Sequence, residues 1–227
     1  MSTLPYFTFN GVKSSDVGII VKEMPPVSKS EKNIESITIS GRNGDLHIDE
    51  GTYKSKKYKI TCVLTDITKI DVLKRTFDGS GTLELSTESN REYQAVIKNQ
   101  IDFEKYLTYL KEFVLQFELY PIAYSKTSTE VSYTSNTTFE VGGTCDVSPK
   151  ITITGIGQIT LNNTQIEVLE SGITIDCDLM NCTSNGINKN DKVIIAEDFP
   201  KIVVGNNTLV LGTGVESVTL SYKEGWI

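Results

Sequence analysis

Residues 40–53, "SGRNGDLHIDEGTY", bring together Arg42, Asn43, Asp45, His47, Asp49 and Glu50, with Gly41, Gly44 and Gly51 between them. A cation, a base and several carboxylates on a glycine-hinged loop are the parts of a general acid–base site. His47 is the only histidine of the chain, and no third group is evident to orient it. Asp49 and Glu50 are adjacent, so on an extended backbone they point to opposite sides and do not converge on one substrate. Arg42 followed by Asn43-Gly44 fits a tight turn, because Asn-Gly favours positive φ. The stretch reads as a structural or contact loop rather than a reaction centre.

A second candidate is Asp176 with Asp178 in "ITIDCDLM". Two residues apart on a strand, they share a face, and paired carboxylates are the hardware of glycoside hydrolysis. The same pattern suits a solvent-facing strand on an acidic surface, or Asp176 closing a local turn. The cysteines, Cys62, Cys145, Cys177 and Cys182, are sparse for a disulfide scaffold, and the 177–182 spacing fits no common zinc pattern. They read as free thiols of the small buried kind, with pairing of Cys177 and Cys182 left open. No phosphate loop, HExxH, GxSxG, CxxC pair or calcium loop occurs. The expectation is a protein without catalytic machinery, metal or cofactor.

The elements that must position these residues are strands. The chain has 227 residues, 38% hydrophobic and 22% charged, a globular composition. No run reaches the roughly 20 apolar residues of a membrane span, and "MSTLPYFTFNG" has no signal-peptide pattern. The net charge of −7 argues against a nucleic-acid binder held by phosphate contacts. It is uneven: residues 1–125 sum to −1 and residues 126–227 to −6.

Alternation marks strands at "YFTFNG", "GIIVKEMPP", "ESITISGRNG", "KYKITCVLT", "GTLELS", "EYQAVIKN" and "FVLQFELYP". It puts Tyr58, Ile60, Cys62 and Leu64 on one face, and likewise Phe113, Leu115, Phe117 and Leu119. One segment, "TDITKIDVLKRTFDGSG", carries Ile67, Ile70, Leu73 and Phe77 at helical spacing, with Thr65 or Asp66 as N-cap and Gly79 as stop. "KTSTEVSYTSNTTFEVGG" reads as a Ser/Thr-rich linker, closing a first domain near residue 125. Beyond it, short strands punctuated by Gly and Asn turns predict an antiparallel sandwich or jelly roll. The sequons at Asn136, Asn162, Asn181 and Asn206 read as Asn/Thr turns. A sugar-binding module for host cell-wall adhesion is the alternative for such a sandwich, although Tyr133, Phe139, Phe199, Tyr222 and Trp226 are its only large aromatics and several must fill its core.

"YFTFNGVKSSDVGIIV", "ITISGRNGDLHIDEGTYKSKKYKITCVL" and "FVLQFELYP" resemble the N-terminal domain of siphophage distal tail proteins (Dit). "PKITITGIGQITLNN", "ITIDCD", "DFPKIVVGNNTLVL" and "LSYKEGWI" resemble the C-terminal domain of the same family. The order and spacing of these motifs span nearly the whole chain. The resemblance implies a mainly β protein. Residues 1–125 would be a ring-forming, tail-tube-like β-sandwich or split barrel with one helix, and residues 126–227 a galectin-like jelly roll. It implies a structural hub and not an enzyme: a homo-hexameric ring at the virion tail tip, assembled in the bacterial host cytoplasm. The ring would join the tail tube protein to the tail-associated hub or lysin protein of the baseplate and, in some phages, carry receptor-binding proteins. DNA would pass through the lumen without specific binding, and no membrane is involved. The long excursion over 41–56 lies where tube-like folds reach a neighbouring subunit, so Arg42, Asp45, His47 and Asp49 are expected to be inter-subunit contacts of the ring or tube, or to line the neighbourhood of the lumen.

Overall fold

The computed structural model describes residues 4–98 and 111–227. The side chains of Ile67 and Lys111 and the last residue of the expected "EYQAVIKN" strand, Asn99, lie outside that set. The chain divides between Ala123 and Tyr124 into two compact units.

The first unit is built from β1 (Phe7–Phe9), β2 (Val12–Lys13), β3 (Ile19–Glu23), β4 (Lys32–Ile37), β5 (Leu46–Tyr53), β6 (Lys56–Leu64), β7 (Gly79–Leu85), β8 (Arg91–Ile97) and β9 (Lys111–Ser125), with one helix, α1 (Ile70–Thr76). Its main sheet runs β2-β1-β7-β8-β9-β6-β3, with antiparallel pairing at β1–β2, β1–β7, β7–β8, β6–β9 and β3–β6. The predicted alternation is what builds it. Tyr58, Ile60, Cys62 and Leu64 are buried, and so are Phe113, Leu115, Phe117 and Leu119. Phe7 meets Phe77 and Phe117 edge-on at 5.5 and 5.7 Å, a favoured arrangement for aromatic quadrupoles.

The helical segment is shorter than its sequence pattern suggests. Residues Ile67–Lys69 form a 3₁₀ turn and only Ile70–Thr76 are α-helical. The Asp66 carboxylate accepts from the Thr68 N–H and hydroxyl at 2.9 and 2.7 Å, so Asp66 rather than Thr65 holds the entry. The helix ends at Phe77 and not at Gly79, which already opens β7 with φ +72°. Leu73 and Phe77 are the anchors that reach the core, at 0% and 1% exposure.

The second unit packs two sheets. The strands are β10 (Thr129–Tyr133), β11 (Thr137–Val141), β12 (Lys150–Gly155), β13 (Gly157–Leu161), β14 (Thr164–Val168), β15 (Ile173–Asp176), β16 (Asn181–Ser184), β17 (Ile187–Asn188), β18 (Val193–Ile195), β19 (Gly205–Leu211), β20 (Val215–Tyr222) and β21 (Gly225–Trp226). One sheet runs β10-β20-β12-β15-β16-β17 and the other β11-β19-β13-β14-β18. Between them lies one core, including Ile151, Ile153, Ile166, Ile175, Leu209 and Leu220.

The expected linker is not a linker. "KTSTEVSYTSNTTFEVGG" supplies β10 and β11, each at the edge of a sheet. An edge strand needs only one packed row, here from Tyr133, Phe139 and Val141, and its other row stays polar, which is why the composition looks like a loop. Ser132 and Thr219 bond hydroxyl to hydroxyl across that edge at 2.7 Å. The Asn-rich turns are structural, as expected. Asn207 is fully buried and satisfied: its side-chain oxygen accepts from the Val203 N–H and the Asn162 amide, each at 2.9 Å, while its amide donates to the Val203 and Gly205 carbonyls. Asn162 sits at φ 54° and accepts from the Thr208 N–H. Replacing Asn207 by Ala leaves the part-buried Val203 N–H without its acceptor and takes one of two acceptors from the Asn162 amide, which keeps the Lys201 carbonyl, so a loss of about 1–3 kcal/mol is expected in urea unfolding. A loss below about 0.5 kcal/mol would mean the network does not hold this corner together.

Candidate functional site

The expected contact loop is largely strand. β4 and β5 form a separate two-stranded sheet, a hairpin whose residues are exposed except for part-buried Asn33 and Tyr53. Its tip is a turn in which the Arg42 N–H donates to the Ile39 carbonyl at 3.1 Å. Gly41 is the third residue of that turn with φ +84°, a type II requirement, and Gly44 follows with φ +80°. The hydrogen-bonded turn therefore precedes the Asn43-Gly44 pair from which the sequence argument began.

The register pairs Ile34 with Asp49, Glu35 with Ile48, Ser36 with His47 and Ile37 with Leu46. Residues opposite each other share a face, and faces alternate along each strand. Asp45, just before β5, and His47 and Asp49 on it thus run down one side, with exposed Ile34 opposite Asp49, while Arg42 sits apart in the tip. Each of the three is a rung. The Thr38 hydroxyl donates to Asp45 at 2.9 Å, Ser36 meets His47 Nδ1 at 2.9 Å, and Lys32 pairs with Asp49 at 2.5 Å. The Lys32 bond and the Gly51 N–H hold the Asp49 carboxyl below its usual range, and the same bond raises Lys32. Asn33 donates to Glu50 at 2.6 Å. The carboxylates are engaged across the hairpin, Asp45 and Asp49 on one face and Glu50 on the other, and do not converge on one site.

The opposite face was not singled out from sequence. Ile37, Leu46 and Ile48, with Ile39 continuing the alternation, are 37%, 36%, 43% and 40% exposed. The signal was available as "ITI" and "LHI" flanking the turn. Glu35 lies opposite Ile48 on this side, so the face is an exposed aliphatic strip with one acid in it, the kind of apolar grouping that marks a candidate interaction surface.

The carboxylates of the second unit are likewise structural. Asp176 ends β15 and Asp178 lies in the following turn. One Asp176 oxygen accepts from the Asp178 and Leu179 N–H groups at 3.2 and 3.1 Å, and the other pairs with Lys150 at 3.0 Å. Burial pushes the Asp176 pKa up, but the Leu179 N–H and Lys150 outweigh it and the net shift is down. It closes a turn, one of the alternatives open from sequence. Cys177 and Cys182 are buried and free, and burial pushes Cys177 up to about 12. Among the described residues no cluster of three His, Cys, Asp or Glu could hold a metal ion.

Residues 126–226 match the family model of the siphovirus-type tail component, C-terminal domain. The second unit is thus similar to a siphovirus-type tail component domain. The whole chain has the fold of the crystallised Dit protein of phage SPP1, with TM-score 0.79 and 14% identity over 97% of this chain and 99% of that one. That protein is described as a paradigm of the hub adsorption apparatus in phages infecting Gram-positive bacteria. No curated protein matches the sequence. The resemblance to distal tail proteins is thereby borne out, and the mainly β fold, with one α-helix among the described residues, is that of the Dit structure.

In this unit Asp176 is a turn lock, which gives a pH signature. Its folded pKa is depressed, so its contribution is present above the usual carboxylate range and is lost as pH falls through the folded value. Asp176→Asn should therefore be less stable than the parent at neutral pH, with the gap closing between about pH 5 and 2. A gap in melting temperature that stays constant over that range would contradict the assignment.

Proposed function

We infer that this chain is the hub subunit of a phage or phage-tail-like particle. Copies close into a hexameric ring at the tail tip, joining the tail tube to the tail-associated hub or lysin protein of the baseplate. Assembly takes place in the bacterial host cytoplasm. The observation that carries this reading is the β4–β5 hairpin: an exposed aliphatic face on an arm with no partner element in its own sheet. A closed cyclic ring joins two different patches on each subunit, and a projecting two-faced arm supplies one of them. Arg42 at the tip and Asp45, His47 and Asp49 on the polar side are then inter-subunit contacts, flanking the aliphatic strip of Ile37, Leu46 and Ile48. The likeness to SPP1 Dit over nearly all of both chains supports the same reading, with residues 1–125 as the ring-forming part and 126–227 as a galectin-like outer domain. The lumen passes DNA without specific contacts, in keeping with the near-neutral charge of residues 1–125. The sugar-binding alternative loses ground, because Tyr133, Phe139, Phe199 and Tyr222 pack against the core of the second unit.

The test is the oligomeric mass by light scattering. Replacing Arg42 and Asp45 together by Ala should weaken ring formation. Ile48→Glu should weaken it further by placing a second acid directly opposite Glu35 in the aliphatic strip. A hexamer mass unchanged in both variants would sink the proposal.

A further inference from the structure

An arm that docks must be held at a defined angle, and the structure contains groups suited to hold it. Residues 24–31, between β3 and β4, belong to no strand or helix. They include Pro25 and Pro26, which offer no backbone N–H. Carbonyls in such a stretch need partners from elsewhere. They find them in side chains of β6. The Tyr58 hydroxyl donates to the Pro25 carbonyl at 2.5 Å, and the Lys56 ammonium donates to the Ser28 carbonyl at 2.7 Å. Ser30, 3% exposed, donates back to the Pro121 carbonyl of β9 at 2.8 Å. The returning strand is tied at the same level, where the Lys54 N–H meets the Glu31 carbonyl at 2.8 Å.

The donors are themselves held. Lys56 and Tyr58 alternate with exposed Lys57, so both point to the core side of β6. Tyr58 is 4% exposed, and burial, aided by Glu88, raises its hydroxyl to about 12, so it stays a donor. The Lys56 ammonium lies 5.6 Å from the Tyr93 ring centre, and the Tyr93 hydroxyl bonds Glu88. The Lys56 ammonium thus has both the Ser28 carbonyl and the Tyr93 ring as partners. Each strand of the arm is thus tied at its root, although the arm itself has no core.

We propose that Tyr58, Lys56 and Ser30 form a root clasp, a set of positioning residues that fixes the angle of the β4–β5 arm to the first unit and presents it pre-organised for docking. The clasp stands on these bonds alone; its consequence for assembly rests on the reading of the arm given above. Pre-organisation removes an ordering cost that binding would otherwise carry. Loosening the clasp should therefore weaken assembly roughly tenfold, the effect of ordering one or two additional groups on docking.

The experiment uses the full chain with Cys145→Ser, which leaves only the buried cysteines, and nitroxide labels at Ser40→Cys in the arm and Gln94→Cys on β8. The inter-label distance distribution should be narrow in this parent and broad in Tyr58→Phe combined with Lys56→Met, with an intact near-ultraviolet circular dichroism spectrum. If the double variant does not fold, Tyr58→Phe alone decides in the same sense. Lys56→Arg keeps a donor for Ser28 and should stay narrow. An unchanged width in the Tyr58 variants, or broadening in Lys56→Arg equal to that in Lys56→Met, would overturn the clasp. Broadening together with weaker assembly supports it. Broadening with unchanged assembly also supports the clasp but overturns the docking role of the arm, so the two readings fail separately.

Discussion

A two-stranded hairpin has no core of its own and is marginal in water. That constraint governs how this molecule is understood. β4 and β5 can persist as an arm only if cross-strand rungs, a tied root and a cover for the aliphatic face together make up for the missing sheet. The rungs are present, from Thr38–Asp45 at the tip to Lys32–Asp49 near the base. The root is tied by carbonyl capture. Within its own small sheet nothing covers Ile37, Leu46 and Ile48. A second copy of the chain is the cover that a ring-forming tail component would supply.

The rest of the first unit serves as the rigid base for that arm. Strand alternation on β6 does two jobs. Its core-facing row is apolar at Ile60, Cys62 and Leu64 and becomes polar at Tyr58 and Lys56, where the residues before the arm return to the sheet. The change of residue type along one face marks the change from packing to positioning. The second unit is a separate solution to a similar problem. Its long turns are held by buried or part-buried Asn and Asp side chains, Asn162, Asn207 and Asp176, that satisfy backbone groups the sheets leave open.

Much of this was legible in the sequence, for physical reasons that differ by element. The buried rows of β6 and β9 were plain because a period of two with large apolar residues has few other readings. The helix was legible in position but not in length, since Asp66 captures Thr68 and tightens the first turn into 3₁₀ geometry. β10 and β11 were hidden because an edge strand with one packed row has the composition of a linker. The proposed contact residues were legible as a charged cluster, yet their arrangement was not. Only the register shows that Asp45, His47 and Asp49 share a face and that their partners are Ser36, Thr38 and Lys32, up to 17 residues away. The aliphatic side was equally present in the letters, but exposure is a property of the fold: the same "ITI" would be core on a strand that had a second layer.

The account turns on one claim, that the β4–β5 arm crosses from one subunit to the next in a closed ring. The most direct measurement places a photo-crosslinking amino acid at Ile48, on the aliphatic face, and irradiates the assembled protein. The account predicts covalent species that climb from dimer to a limit at the hexamer, with the attachment point on a neighbouring copy. Crosslinks confined within single chains, with no ladder, would contradict it.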